Sequence, residues 1–264
     1  MSYYEAEHLQ ACMAPAVPNP LFNQIFLSGP ARESDLESAF DRFGRAGVTP
    51  RLEIGPGAIS SGLAVQLARR GFMHTHADPI LIQSRRGTEQ RPGSEIQVTR
   101  VQSAEAFDCF IVTYLRALRV APQLVPLQRS YMEHWLQVPG WRLYFASKDD
   151  VPIGIGVLFS RGNVAYLAEG ATISEFRARG AQTALILARL LDAREDSAQL
   201  VFSRAQFGST SQRNLEKAGL ESRYTLAIWT KETDNPPSSL HLAERLAAER
   251  LAAERPTSCR PTTG

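Results

Sequence analysis

The most informative part of the sequence is 172-TISEFRARGAQTALI-186. It follows the run 165-AYLAEGA-171, predicted as a strand, turns through a basic loop with one glycine, and continues as an apolar helix. A helix N-terminus exposes unpaired backbone N–H groups and the positive end of the helix dipole, so it binds phosphates readily. Gly180 would let the backbone approach an anion closely, and Arg177 and Arg179 add positive charge. The lysine of a P-loop and the GxGxxG pattern are absent from this stretch, so the common nucleotide-binding signatures fail.

A second motif, 207-FGSTSQRNLEKAGL-220, follows the next predicted strand. Together the two motifs resemble the GNAT superfamily of acyl-CoA-dependent N-acyltransferases, whose pyrophosphate loop runs Arg/Gln-x-x-Gly-x-Gly/Ala between the fourth strand and the third helix. Arg177 and Gly180 match this loop, while Gln182 stands where the family usually has glycine or alanine. The Arg-Gly-Ala-Gln reading is similar to one branch of the family, and the resemblance covers residues 96–231.

The resemblance implies an α/β fold with a mixed sheet of the GNAT type, and acetyl-CoA as the co-substrate with no metal. By motif position, the cofactor-binding residues would be Ala171, Thr172 and Ile173 for the pantetheine arm, Arg177, Arg179, Gly180, Ala181, Gln182 and Thr183 for the pyrophosphate, and Ser209, Ser211 and Asn214 for the far end of the arm or the adenosine phosphates.

Glu169 is the candidate general base for the transfer. It lies two residues before Ala171, and the period-two alternation of a strand places both side chains on one face. Apolar neighbours would desolvate the carboxyl and raise its pKa towards the range that a base requires. The alternative is a solvated acid at the edge of the sheet.

The general acid is less clearly marked. Many GNAT members use a tyrosine in the helix before the second motif's glycine, but this chain has Leu215 at the matching place. Tyr224 on the closing strand is the substitute candidate, against the alternative that it is a structural tyrosine, or that water protonates the thiolate. Cys109 lies in an apolar helix without a nearby histidine, which argues against a covalent cysteine route.

Periodicity divides the chain into alternating strands and helices. Strands are predicted at 22–27, 51–54, 72–82, 96–101, 142–147, 153–159, 164–171, 200–204 and 224–230, and helices at 34–46, 60–70, 105–119, 123–136, 179–193 and 212–218. The predicted organisation is a flexible lead-in (1–18), a degenerate GNAT-like domain (19–84), a linker (85–94), a catalytic GNAT domain (95–233) and a flexible or helical tail (234–264). The repeated pentad LAAER makes that tail either a solvated helix or a partner helix.

Composition excludes several other classes. The chain has 264 residues, 44% of them hydrophobic, and a formal charge of +2, which disfavours a dedicated nucleic-acid binder. The three cysteines form no CxxC pair, and no N-terminal signal or membrane-length apolar run is present, so we expect a soluble cytoplasmic protein. His74 and His76 share a strand face but lack a third ligand of suitable spacing, so no metal is predicted.

The resulting hypothesis is an acetyl-CoA-dependent N-acetyltransferase that acts on a primary amine of a small molecule by direct attack in a ternary complex. Neither a nucleic acid nor a membrane is expected as a partner, and a homodimer is left open. The alternatives are a non-catalytic acyl-CoA-binding, sensing or interaction module, and a protein-directed acetyltransferase.

Overall fold

The computed structural model describes residues 1–16, 20–83, 95–120 and 122–231. Its strands are β1 (Ser2–Ala6), β2 (Leu9–Met13), β3 (Asn23–Leu27), β4 (Arg51–Ile54), β5 (Phe72–Gln83), β6 (Gln97–Arg100), β7 (Trp141–Lys148), β8 (Val151–Arg161), β9 (Val164–Thr172), β10 (Leu200–Arg204) and β11 (Glu221–Lys231). Its helices are α1 (Glu33–Arg45), α2 (Ser61–Arg69), α3 (Ala104–Leu118), α4 (Val125–Gln137), α5 (Ala181–Glu195) and α6 (Thr210–Lys217). Short 3-10 turns occupy Pro20–Phe22, Pro122–Leu124 and Ser174–Phe176.

The predicted mixed α/β fold is confirmed, and the chain forms two compact units that do not follow the predicted division. The first contains the described residues among 1–80 together with 205–212 and 222–231, and the second contains those among 81–204 together with 213–221. The compact units therefore divide the chain differently from the predicted continuous domain over 95–233. The predicted linker (85–94) and tail (234–264) lie outside the described residues.

The first unit is built on strands in the order β1-β2-β3-β4-β11-β5. Strands β3 and β4 run parallel, joined by α1, and β11 pairs antiparallel with β4. Residues of β2, β3, β4 and α1 form the core, among them Leu9, Ile25, Leu36 and Leu52. The closing strand of the chain thus completes the first unit, because its partner is the strand at 51–54.

The predicted flexible lead-in (1–18) contains two strands in its described part, residues 1–16. Strands β1 and β2 form an antiparallel hairpin, and β2 extends it by pairing with β3. Leu9 is fully buried and Ala11 nearly so, because this face of the hairpin covers the core beneath α1. Tyr3, Tyr4 and Cys12 suit an extended strand, which the polar neighbours obscured in the sequence.

The second unit is built on strands in the order β10-β9-β8-β7-β6. Helices α3 and α4 pack on one face, where Phe110, Met132, Ile155 and Val157 belong to one buried cluster. Helix α5 packs against β8 and β9. The parallel β9–α5–β10 crossover, with β8 antiparallel beside β9, is the frame that positions the candidate site.

None of the helices that the structure describes is long and apolar enough to span a membrane.

Candidate active site

The site is built around the point where β9 and β10 part. The two strands pair in parallel from Val164–Leu200 up to Leu167–Ser203, and no pairing between them follows within the described residues. At this last pair, the hydroxyl of Ser203 donates a hydrogen bond of 2.8 Å to the carbonyl oxygen of Leu167. Beyond Leu167, β9 continues for five residues with an open edge on this side of the second unit.

The direction in which each backbone N–H and C=O group of β9 points decides which residues can form hydrogen bonds at the open edge. The N–H of Ile173 donates to the carbonyl oxygen of Ile153 at 2.9 Å, so Ile173 faces β8. Because facing directions alternate along an antiparallel strand, Ala171 also faces β8, whereas Thr172 and Gly170 direct their N–H and C=O groups to the open edge. Of the three residues predicted to pair with a pantetheine arm, Thr172 alone offers free backbone groups there.

Seven residues separate Thr172, at the end of this edge, from Gly180, the N-cap of α5. Gly180 has a left-handed backbone (φ 87°), and no side chain caps the helix. The first intrahelical bond runs from Ala184 N–H to Gly180 O, which leaves the N–H groups of Ala181, Gln182 and Thr183 without partners among the described residues. This end of the helix is therefore a ready anion-binding surface.

The loop before the helix carries the positive charge. Arg177 and Arg179 are exposed, and the guanidinium of Arg179 lies 5.3 Å from the ring centroid of Phe176. Ala178 also has a left-handed backbone (φ 61°), so the loop turns sharply just before Gly180. The predicted basic glycine loop is thus present as a tight turn between β9 and α5.

Two buried polar atoms beside the open edge lack hydrogen-bond partners within the described part of the chain. They are Oγ1 of Thr172 and Oε1 of Gln182. Buried polar groups are almost always bonded, so two unbonded atoms on β9 and at the start of α5 fit the binding of a polar ligand. The open strand edge, the uncapped helix and these two atoms together fit an extended molecule with amide groups and a phosphate end.

Glu169 lies on β9 at the start of the open edge. The register between β8 and β9 shifts between Leu158 and Gly156, which marks a β-bulge at Ala168–Glu169. Burial raises the pKa of the Glu169 carboxyl, as predicted. The pKa of Tyr114 on α3 is also raised, by burial first and then by the charge of Glu169, so the carboxyl lies on the side of the sheet that α3 covers.

The surroundings of Glu169 include residues that the sequence did not reveal. Gln128 on α4 donates a hydrogen bond of 3.1 Å from Nε2 to the hydroxyl of Tyr114. Tyr131, also on α4, contributes to the raised pKa of Tyr114. No motif marks these three positions, because they meet only when α3 and α4 pack on the sheet.

The remaining predicted residues are divided between the units. Asn214 is half-buried on the part of α6 that belongs to the second unit. Ser209, Ser211 and Tyr224 belong to the first unit, and 44% of the Tyr224 side chain surface is exposed. The Oγ of Ser209 accepts a hydrogen bond of 3.1 Å from the N–H of Gln212, so this serine caps α6.

The second unit thus combines a parallel strand–helix–strand crossover, a parted strand edge and a basic glycine loop at the helix N-terminus. These are the features on which the resemblance of the sequence to the GNAT superfamily depends.

Three solved structures have a similar fold. A GCN5-related N-acetyltransferase from Kribbella flavida has a TM-score of 0.63 at 16% identity, over 88% of this chain and 90% of that chain. A functionally unknown protein from Staphylococcus epidermidis has a TM-score of 0.62 at 14% identity, over 87% of this chain and 93% of that one. A tandem GNAT protein from the clavulanic acid biosynthesis pathway has a TM-score of 0.56 at 17% identity, over 81% and 76% of the two chains.

The chain therefore has the fold of the GNAT acetyltransferases, including tandem ones, and the predicted resemblance is confirmed at the level of the fold. No protein-family model matches the sequence, and no curated protein matches it.

Proposed function

We propose that the second unit is an acetyl-CoA-dependent N-acetyltransferase that acts on a primary amine of a small molecule by direct attack. The observation that carries this proposal is the open edge of β9 beyond Leu167, followed by the uncapped N-terminus of α5 at Gly180. An extended amide-bearing arm that ends in a pyrophosphate matches both features in chemistry and in order.

The residues that would hold acetyl-CoA follow from these directions. The backbone of Gly170 and Thr172 would pair with the pantetheine arm, and the N–H groups of Ala181, Gln182 and Thr183 would bind the pyrophosphate. Arg177 and Arg179 would offset its charge, and Asn214 stays a predicted contact. When bound, acetyl-CoA supplies a thioester carbonyl that an amine can attack.

Glu169 would accept the proton of the acceptor amine. Burial raises its pKa, which makes it a stronger base than a solvated glutamate, and a positioned base contributes about 10²–10⁴-fold to a rate. Since the carboxyl must be ionised to act, kcat/KM should rise as the pH passes through this raised pKa. Tyr224 stays a predicted acid.

A small acceptor is supported by where Glu169 lies. The carboxyl is largely covered beside α3, with Tyr114 and Gln128 bonded to each other next to it. A slender amine can be inserted beside such a group more easily than a side chain carried on a folded protein surface.

Calorimetric titration with acetyl-CoA tests the cofactor. We expect saturable binding by the wild type and none by Gly180→Trp, because the indole would cover the helix N-terminus. Gly162→Trp is the matched control: this glycine also has a left-handed backbone with open space around its missing side chain, but it lies in the β8–β9 turn at the opposite end of β9. No binding by the wild type, or equal binding by Gly180→Trp, would contradict the proposal.

A thiol-release assay with a panel of small amines then tests turnover. Release that depends on the amine and is lost in Glu169→Gln supports the transferase. Binding without release for any amine would instead favour the non-catalytic acyl-CoA-binding alternative.

A further inference from the structure

Arg189 is a buried arginine in the middle of helix α5, between the apolar stretches 184–188 and 190–191. Only 1% of its surface is exposed. Its Nε donates to the carbonyl oxygen of Leu185 at 2.9 Å, and its Nη1 donates to the carbonyl oxygens of Val157 at 3.0 Å and Glu169 at 3.1 Å. Three backbone carbonyls from one helix and two strands are thus held by a single side chain.

A glycine of the sheet, Gly156, makes room for this guanidinium. A Cβ on Gly156 would lie 2.9 Å from Nε of Arg189, closer than real Cβ contacts, and 3.1 Å from Cζ. A Cβ on Gly170, which pairs with Gly156 across the two strands, would lie 2.7 Å from Nε2 of Gln182 and in ordinary contact, 3.5 Å, with Nη2 of Arg189. The side chain therefore lies flat against the backbone of β8 and β9, in a slot that larger residues would close.

The strand carbonyls that accept hydrogen bonds from Arg189 lie at the β-bulge. Val157 on β8 faces Ala168 and Glu169 on β9, where the register shifts and the regular ladder is interrupted. The two hydrogen bonds of Nη1 join the carbonyl oxygens of Val157 and Glu169 across this interruption. Arg189 thus replaces ladder contacts at the residue that carries the candidate base.

The charge of this side chain is hard to explain by packing alone. Burial lowers the pKa of Arg189 to about 10, so the group stays protonated at neutral pH. Among the described residues it forms no ion pair with a carboxylate. An apolar side chain of similar volume would fill the space but would leave the three carbonyl oxygens without these hydrogen bonds, so the position requires a donor that reaches all three.

We infer that Arg189 is a positioning residue for Glu169: by tying the carbonyl oxygens of Val157 and Glu169 together, it fixes the bulge and with it the direction of the Glu169 side chain. The inference rests on the proposed role of Glu169 as the base, and it adds a residue on the opposite face of the sheet that never meets the substrate.

Kinetics of Arg189→Met test the inference. We expect kcat to fall by about 10- to 100-fold, part of what a general base contributes, while the KM for acetyl-CoA stays within about twofold. The acid limb of the pH–rate profile should move towards the ordinary glutamate range, because a relaxed bulge would let water reach the carboxyl. Leu190→Met, a buried neighbour on α5 with no polar contact, should keep the wild-type profile.

A second variant covers the case in which Arg189→Met does not fold. Gly156→Ala keeps the arginine but forces its guanidinium off the carbonyls, and it should produce the same loss of kcat and the same shift of the profile. An unchanged profile in a folded variant of either kind would overturn the inference and leave Arg189 a packing residue.

A measurement without substrate separates this inference from the proposed function. In a double-mutant cycle of Arg189→Met and Glu169→Gln, thermal unfolding is followed between pH 5 and 8. We expect the pH-dependent stability difference caused by Glu169→Gln to shrink when Arg189 is absent. Additive effects would overturn the inference, whereas coupling in a protein that releases no thiol would contradict the proposed function alone.

Discussion

Among single residues, Glu169 is the group whose ionisation should be clearest in solution. Burial raises its pKa in the folded state, so its neutral form is favoured there and the protein loses stability as the pH rises from the ordinary glutamate value through the raised one. Glu169→Gln stays neutral throughout. Its melting temperature should therefore match the wild type near pH 4.5 and exceed it increasingly towards pH 8, as calorimetry would show.

Glu175 provides a control, because its pKa is shifted in the opposite direction to that of Glu169. A hydrogen bond from its own backbone N–H, followed by one from Ser174, lowers its pKa, so its carboxylate contributes stability that is lost as the pH falls through that lowered value. Glu175→Gln should be less stable than the wild type at pH 8, with the gap closing in acid. A flat difference for Glu169→Gln, or the same sign for both variants, would contradict the assignment.

Removing the hydroxyl of Thr172 should stabilise the folded protein but weaken its binding of acetyl-CoA. Its buried Oγ1 has no partner among the described residues, and such a group costs about 1–3 kcal/mol. Thr172→Val should raise the free energy of unfolding by about 1 kcal/mol and weaken acetyl-CoA binding.

Urea unfolding and calorimetry would measure the two effects. Thr113→Val is the control, because the hydroxyl of Thr113 is buried but donates to the Cys109 carbonyl at 2.7 Å. That variant should gain no stability and should bind acetyl-CoA normally. A loss of stability in Thr172→Val with unchanged affinity would show that the orphaned hydroxyl has no ligand.

The residues around the site differ in how far a sequence can reveal them. Simple alternation predicts Glu169 and Ala171 on one face, and this holds because the register of β9 does not shift again between Gly170 and Thr172. Tyr114 and Gln128 could not be foreseen, since they belong to two different helices and meet β9 only in the folded unit. Arg189 is only weakly marked in the sequence, as a charged residue between two apolar stretches of α5.

Among the elements, the β1–β2 hairpin is the one whose contribution most needs measuring. Leu9 is fully buried in the core of the first unit, and a buried leucine truncated to alanine costs about 2–5 kcal/mol. Leu9→Ala should lower the free energy of unfolding by this amount in urea. Gln10→Ala, at an exposed position of the same strand, should change it by no more than about 0.5 kcal/mol. Equal small effects would mean that the hairpin is dispensable.

The elements also show why some parts of the fold were predictable. The β9 strand, basic loop and α5 helix carry their signals within a short stretch, and the structure has all three. Strand β11 was predicted as a strand, but its partner was not, because Ile228 pairs with Glu53 at a great distance along the chain. The β1–β2 hairpin was missed because its strands are short and one face is polar.

At the scale of the whole molecule, the first unit depends on a strand from the far end of the described chain. In the strand order β4-β11-β5, β11 lies between β4 and β5. A fragment of residues 1–84 contains β4 and β5 but not the strand that joins them. A fragment of residues 1–84 should therefore lack a cooperative unfolding transition in urea, followed by circular dichroism. Adding a separately made fragment of residues 95–264 should restore one. A cooperative transition in the short fragment alone would contradict this dependence.

The late position of β11 also has a consequence for how the protein is made. Most of the first unit leaves the ribosome early, yet the strand that completes it is translated about 150 residues later. At ordinary synthesis rates this interval lasts roughly 8–30 s, during which the edge of β4 with Leu52 and Ile54 has no permanent neighbour. Such an edge can join a foreign strand, so the nascent chain should be most prone to aggregation during this interval.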